Sequence, residues 1–267
     1  MSKSRTPTRA PRGAEIHMDV EKMHALYDGA ASSLDNGTAT ERLIMAGDLA
    51  KVALRAAKAG TPLSVLSWDY GTEELQTALA ERLQRFVQHG RRQVADELQR
   101  QRDAVGGTAA RLAEPLRRAA KRRRPARLPG PNSTEAAAAV AVGISVSVAA
   151  AMREAAAMAI TTKAAAPATA AELETAISAA GDAALLRVSV SVHELVSLGR
   201  AEEARARQDE IEDAIYSALL DGNTCDECEA MDGAQTTDLA EAADWTPNGA
   251  CQGGSRCRCV MVYQLRQ

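Results

Sequence analysis

Every cysteine of the chain lies near its C-terminal end: Cys225, Cys228, Cys251, Cys257 and Cys259. Cys225-Asp-Glu-Cys228 is a C-x-x-C pair, whose two intervening residues let both thiolates face one tetrahedral metal at about 2.3 Å each. Cys251, Cys257 and Cys259 form a second set, and a loop of about twenty residues between the sets matches structural zinc spacing. Four thiolates close a zinc shell and leave no position for water, so the pattern points to a structural zinc rather than a catalytic one. A small, loop-rich segment would draw folding free energy on the order of 10 kcal/mol from such a metal. On a strand, Cys257 and Cys259 share a face, so both reach one metal or one is a spare thiol. The spacing leaves open which four bind, and a redox pair or a disulfide is the alternative to a metal. His193 is the nearest histidine in sequence and sits on a predicted helix, where it reads as a partly buried residue rather than a ligand. His17, His24 and His89 form no pattern.

The rest of the chain reads as helix. Aromatic residues make up only 3%, with Phe86 the single Phe, so a large β-sandwich or barrel core is not expected. Alanine is abundant and favours helix throughout. The fold class expected is mainly α: an Ala-rich helical body with a small C-terminal β-hairpin subdomain of zinc-knuckle kind. Short amphipathic spacing predicts a helix over Glu15–Leu26, a loop over Gly29–Gly37, and a second helix over Glu41–Ala59. Thr40 is its cap, and Leu43, Ile44, Leu49, Val52 and Leu54 are its apolar set. Gly60 is a natural stop. Pro62 to Gly71 reads as a connector. Thr72, Glu73 and Glu74 suit a helix start. Leu75, Leu79, Leu83, Phe86, Val87, Val94 and Leu98 then recur at helical spacing and predict a long packing seam.

Gly106-Gly107 ends that helix, and residues 106–132 read as a basic Pro/Gly linker. Helix is expected again over Ser133–Thr162, interrupted at Pro167, resumed over Ala171–Ala179, broken at Gly181, and continued to about residue 213. Residues 214–267 form the Cys-rich part. Tyr216 to Leu220 and Cys257 to Leu265 read as strands, with Asp232-Gly233 as a turn between them.

Residues 1–14 are basic, contain proline and lack an apolar core, so they read as a disordered arm and not a secretory signal. Without a secretory signal and with an odd cysteine count, a reducing compartment with metal thiolates fits better than a disulfide framework. Ala136–Met152 is uncharged and follows the basic Lys121–Arg127, which is the flank of a membrane helix. The run is shorter than the roughly 20 residues needed, and it is mostly Ala, Ser and Gly, so a buried helix is expected instead.

The usual catalytic constellations are absent. The chain holds no G-x-S-x-G, no phosphate loop and no H-E-x-x-H. Asp232 reads as a turn residue and Asp221 as a strand-end or capping residue. An enzyme is therefore not expected, and no small-molecule substrate. Arg117, Arg118, Lys121, Arg122, Arg123, Arg124 and Arg127 are able to neutralise phosphates without reading sequence. No aromatic residue interleaves with them, so base stacking is not expected.

The stretch LLDGNTCDECEAMDGAQ (Leu219–Gln235), followed by TPNGACQGGSRCRCVMVY (Thr246–Tyr263), resembles the C-terminal signature of phage head-morphogenesis proteins, the Mu F-like minor head proteins. Asp221, Thr224, Cys225, Cys228, Asp232, Gly233, Pro247, Cys257, Arg258 and Cys259 carry the match, and Gly199-Arg200 resembles the family's upstream G-R. The family's usual histidine before C-R-C is Gly254 here, and Cys251 is able to replace that ligand. The family's R-T-E stands as Arg187-Val188-Ser189. The resemblance implies that residues 133–267 form a head-morphogenesis domain following an N-terminal helical region, 15–105. It implies a structural minor capsid protein partnered by portal, scaffold or major capsid protein. It would be retained in the virion interior or near the portal, after assembly in the host cytoplasm. Non-specific contact with packaged DNA through the basic run is compatible with that role. The alternative is a zinc-containing DNA-binding or regulatory protein that uses residues 117–127.

Overall fold

The computed structural model describes residues 20–61, 71–104, 133–162, 169–185, 189–218, 224–252 and 259–266. The expected basic arm, the Pro62–Tyr70 connector, the 106–132 linker, Pro167, Asp221 and Cys257 lie outside them. In chain order the elements are α1 (Val20–Ala59), α2 (Thr72–Ala104), α3 (Ser133–Thr162), α4 (Ala170–Leu185) and α5 (Ser189–Ala206). β1 (Ile211–Ser217), α6 (Asp226–Met231), β2 (Gln235–Thr236), α7 (Leu239–Asp244) and β3 (Val260–Leu265) follow. The fold is mainly α, and the small C-terminal β part is a three-stranded antiparallel sheet in the order β2-β1-β3. The chain divides into two compact units, one drawing on residues 1–27, 84–133 and 190–267, the other on 28–83 and 134–189.

In the second unit, α1 runs unbroken where a loop at Gly29–Gly37 was expected. The polar run there satisfies itself on the helix. Thr38 Oγ1 donates to the Leu34 carbonyl at 2.8 Å, and buried Arg42 donates to Thr38 Oγ1 at 2.7 Å and pairs with Asp35 and Asp182. Gly37 serves packing, since a Cβ there would meet Arg82 Nε at 2.6 Å. Thr40 consequently lies within the helix and caps nothing. The buried face also differs from the one expected. Met45, Ala46, Leu49, Val52 and Ala53 are buried, whereas Leu43 and Ile44 are 53% and 58% exposed. Leu34, Thr38, Arg42, Met45, Leu49, Val52 and Ala56 are buried along one helical stripe, and Leu43 and Ile44 lie off it. Gly60 does end α1. It sits at φ 65°, its N–H reaches the Ala57 carbonyl, and Thr61 N–H reaches Ala56, which together satisfy the last carbonyls of the helix.

α2 is the seam the spacing predicts, with Leu75, Leu79, Leu83, Phe86, Val87, Val94 and Leu98 all buried. It begins at Thr72, the expected cap, rather than after it, and Gly71, at φ 67°, supplies the carbonyl for Leu75 N–H. α4 continues through Gly181 rather than breaking there. Glycine is placed there for contact, because a Cβ would meet Met152 Cε of α3 at 2.8 Å. The apolar run of α3 lies within the helix expected over Ser133–Thr162. By length and composition alone Ser133–Thr161 is able to cross a membrane, and 39% of its most apolar window is buried. Its larger residues Ile144, Val148 and Met152 are among the buried ones, whereas Val142, Val146 and Met158 are exposed.

In the first unit, helix continues to Ala206 rather than to about residue 213, and β1 begins at Ile211. α2 and α5 meet backbone to backbone. A Cβ on Gly90 would lie 2.1 Å from the Val196 carbonyl oxygen, and one on Gly199 would lie 2.1 Å from that of Val87. Such an approach admits only glycine at either position. It brings Arg200 into the interior, where its guanidinium meets Glu97 through two bonds of 2.8 and 2.7 Å.

The outer edge of β3 is closed by these same helices. Unpaired strand edges invite extension by another strand. Here Cys259, Met261 and Tyr263 each give their carbonyl to a side chain: His193 Nε2 at 2.8 Å, Arg200 at 2.8 Å and Gln101 Nε2 at 2.8 Å. Leu265 N–H then donates to Gln101 Oε1 at 2.9 Å. Val94 and Leu98 of α2, Ala204 of α5, and Tyr216, Met261 and Tyr263 of the sheet make one buried cluster, which also contains Cys228 and Cys259. Each such buried side chain contributes about 1.5–3 kcal/mol over an exposed one.

Candidate metal centre

Three of the five expected ligands converge. The sulfurs of Cys225, Cys228 and Cys251 all lie within 4.8 Å of one another, so three cysteines stand close enough to hold one metal ion. Cys225 precedes α6, and its carbonyl accepts from Glu229 N–H at 2.9 Å, so the first turn of that helix carries Cys228 round to the same side. Cys251 is delivered by a turn at Asn248. Asn248 accepts Ala250 N–H on its Oδ1 at 3.0 Å and Cys251 N–H on its carbonyl at 2.9 Å. Its Nδ2 points at Cys228 Sγ from 3.8 Å. The Cys225 and Cys251 sulfurs are 3.8 Å apart. A regular tetrahedron with metal–sulfur bonds of about 2.3 Å has an edge of about 3.8 Å. A disulfide needs about 2.05 Å, and none of Cys225, Cys228, Cys251 and Cys259 is joined in one.

Cys259, also an expected ligand, is buried in the same apolar cluster as Cys228 but is not among the sulfurs grouped within that distance. Cys257 falls outside the described residues. His193 is not among the grouped ligands. It is buried and holds the Cys259 carbonyl, which makes it a support for the backbone at that cysteine.

The electrostatics separate the thiols. Burial pushes Cys225 up, but the N–H groups of Cys228 and Gln252 and the neighbouring thiols outweigh it and bring it down to about 7. Burial dominates at Cys228 and raises it, although Tyr216, Cys259 and Cys251 pull the other way. Tyr216 is fully buried, and burial followed by the Cys228 and Cys259 sulfurs pushes its phenol well above the ordinary range. Its hydroxyl has no hydrogen-bond partner among the described residues.

Asp232 is a turn residue, as its Asp-Gly context predicts. Gly233 adopts φ 93°, its N–H meets the Tyr216 carbonyl at 2.9 Å, and Asp232 Oδ1 accepts Ala218 N–H at 3.1 Å. Thr224 donates to the Ala218 carbonyl at 3.1 Å. The sequence reading passed over Tyr216, Asn248, Glu97 and Gln101. The Pro-Asn-Gly triplet at 247–249 was a turn signal available for Asn248. The other three are ordinary residues on a strand or helix until the fold brings them together.

No protein-family description, curated protein or solved structure matches this chain.

Proposed function

We propose that this chain is a structural, non-enzymatic phage head-assembly protein of the Mu F-like minor head kind, with a zinc ion tying its C-terminal part together. The observation that carries the reading is the convergence of the resemblance's separate pieces. The C-x-x-C pair meets Cys251, which stands in for the missing histidine, within 4.8 Å. The upstream Gly199-Arg200 pair packs on α2 and bonds the strand that follows the second cysteine set. Motifs far apart in sequence thus serve one small module.

An all-thiolate set favours zinc held for structure, with no open position for a reacting water. The helix beside the sulfurs also argues against DNA reading. α6 has six residues and carries Asp226, Glu227 and Glu229, whose charge repels phosphate. In this reading the partners are portal, scaffold or major capsid protein, and no membrane or small molecule is engaged. Purified protein is expected to contain zinc and to co-purify with a co-expressed portal protein. Metal-bearing protein that ignores portal, scaffold and capsid proteins but retains duplex DNA at physiological salt would overturn the assembly role.

A further inference from the structure

The α3 helix carries apolar residues all round, yet only one side of it is buried. Ala137, Ala141, Ile144, Val148, Met152 and Ala156 are covered, whereas Val142 and Val146 are 47% and 57% exposed. We propose that the exposed side pairs antiparallel with the same side of α3 in a second copy of this chain.

The spacing lays out the seam. Glu135, Ala139, Val142, Val146, Ala150 and Arg153 recur every three or four residues, so they fall on one line along the helix, about 27 Å from first to last. Ala139 and Ala150 are exposed beside the two valines, and Arg153 is half-buried. No charged residue lies between Glu135 and Arg153. Such a face sheds water against a matching apolar one. The exposed hydroxyl at its edge makes little claim on solvent, since Ser147 Oγ donates to the Gly143 carbonyl at 2.9 Å.

The placement of the charges selects the occupant. Residue 144 is the midpoint of Val142 and Val146, and also of Glu135 and Arg153. An antiparallel copy turned about that point sets each Val142 against the partner's Val146, and each Glu135 carboxylate against the partner's Arg153. This is the self-complementary pattern of a two-fold interface. A parallel copy would oppose like charges at both ends. Glu154 lies about 100° round the helix from Arg153 and so off the line. A lipid surface would take the valines but makes no use of the opposed charges. One helix pair of this length covers less than a standard protein interface, so Kd is expected on the order of 10–100 μM.

The test is sedimentation velocity of the full chain in reducing buffer, at concentrations spanning that Kd. Wild-type protein should pass from monomer to dimer. Val142→Glu alone and Val146→Lys alone should each raise Kd about tenfold or more, because each places a charge in the covered seam. Far-UV circular dichroism should be unchanged in both, since the two positions are exposed. An equimolar mixture of the two variants should dimerise again, because antiparallel pairing sets the new carboxylate opposite the new ammonium. Wild-type protein that stays monomeric throughout would overturn the proposal, as would self-association that neither variant weakens. A mixture no stronger than its components would overturn the antiparallel register. Flotation of wild-type protein, but not Val142→Glu, with phosphatidylcholine–phosphatidylglycerol vesicles would assign the face to lipid and overturn the second copy.

Discussion

Arg200 and Glu97 face each other as a double-bonded ion pair sealed inside the first unit, 1% and 4% exposed. The same guanidinium reaches the Met261 carbonyl, so one side chain joins α2, α5 and β3. Removing one partner leaves a buried charge unmatched. Glu97→Ala or Arg200→Ala should therefore lower unfolding free energy by about 3–5 kcal/mol in urea denaturation. Arg200→Lys should recover little, because an ammonium cannot span both carboxylate oxygens and the carbonyl in one plane. Full stability in either alanine variant would contradict the packing described.

The helix crossing beneath that pair makes a second demand. Gly90→Ala and Gly199→Ala each drive a methyl group into a backbone carbonyl, which cannot swing aside as a side chain does. Each should cost about 3 kcal/mol, the upper end for overpacking, although alanine is the better helix former. Gly29→Ala and Gly143→Ala meet nothing within 4 Å and serve as controls. These should be neutral or stabilising by about 1 kcal/mol. Thermal unfolding of the four variants checks the contrast.

His89 gives the first unit a pH dependence. Burial, then Arg92 and Arg200, hold its pKa below the ordinary 6.5, with Asp96 opposing weakly. The unfolded chain takes up a proton near 6.5, and the folded chain resists it until lower pH. The unfolded state therefore binds more protons in that window, and stability falls as pH drops from 6.5 toward the folded value. His89→Gln should flatten that part of the stability profile in urea titrations between pH 5 and 7. A profile of equal slope in both proteins would contradict the burial described for His89.

Thiol reactivity in chelator should follow the divided environment of the cysteines. Cys225, at about 7, is about half thiolate at neutral pH, whereas burial pushes Cys228 up and favours its protonated form. Iodoacetamide should label Cys225 first, with a rate that climbs through pH 7, and Cys228 far more slowly. Peptide mass spectrometry at several pH values reads the order. Added zinc should protect both.

The long seam of α2 and the stop at Gly60 were legible because they are local: a repeated apolar spacing and one left-handed residue. The cysteine cluster was legible as a group for the same reason. Glycines misled where their role was tertiary. Gly37 and Gly181 read as breaks, yet each is small to admit a side chain, Arg82 in one case and Met152 in the other. Leu43 and Ile44 read as core from their apolar side chains, yet they lie off the buried stripe that runs through Leu34, Thr38, Met45 and Leu49. Tyr216, which shares a buried cluster with Cys228, and His193, which holds the Cys259 carbonyl, carry no sequence pattern. Their place depends on pairing β1 with β3 and crossing α2 with α5, contacts between residues far apart in the chain.

The most direct test is the metal content of the full-length protein purified without added zinc or chelator, read by native mass spectrometry beside elemental analysis. The account predicts one zinc per chain and all five cysteines reduced. Metal-free protein carrying a Cys225–Cys251 or Cys225–Cys228 disulfide would contradict it.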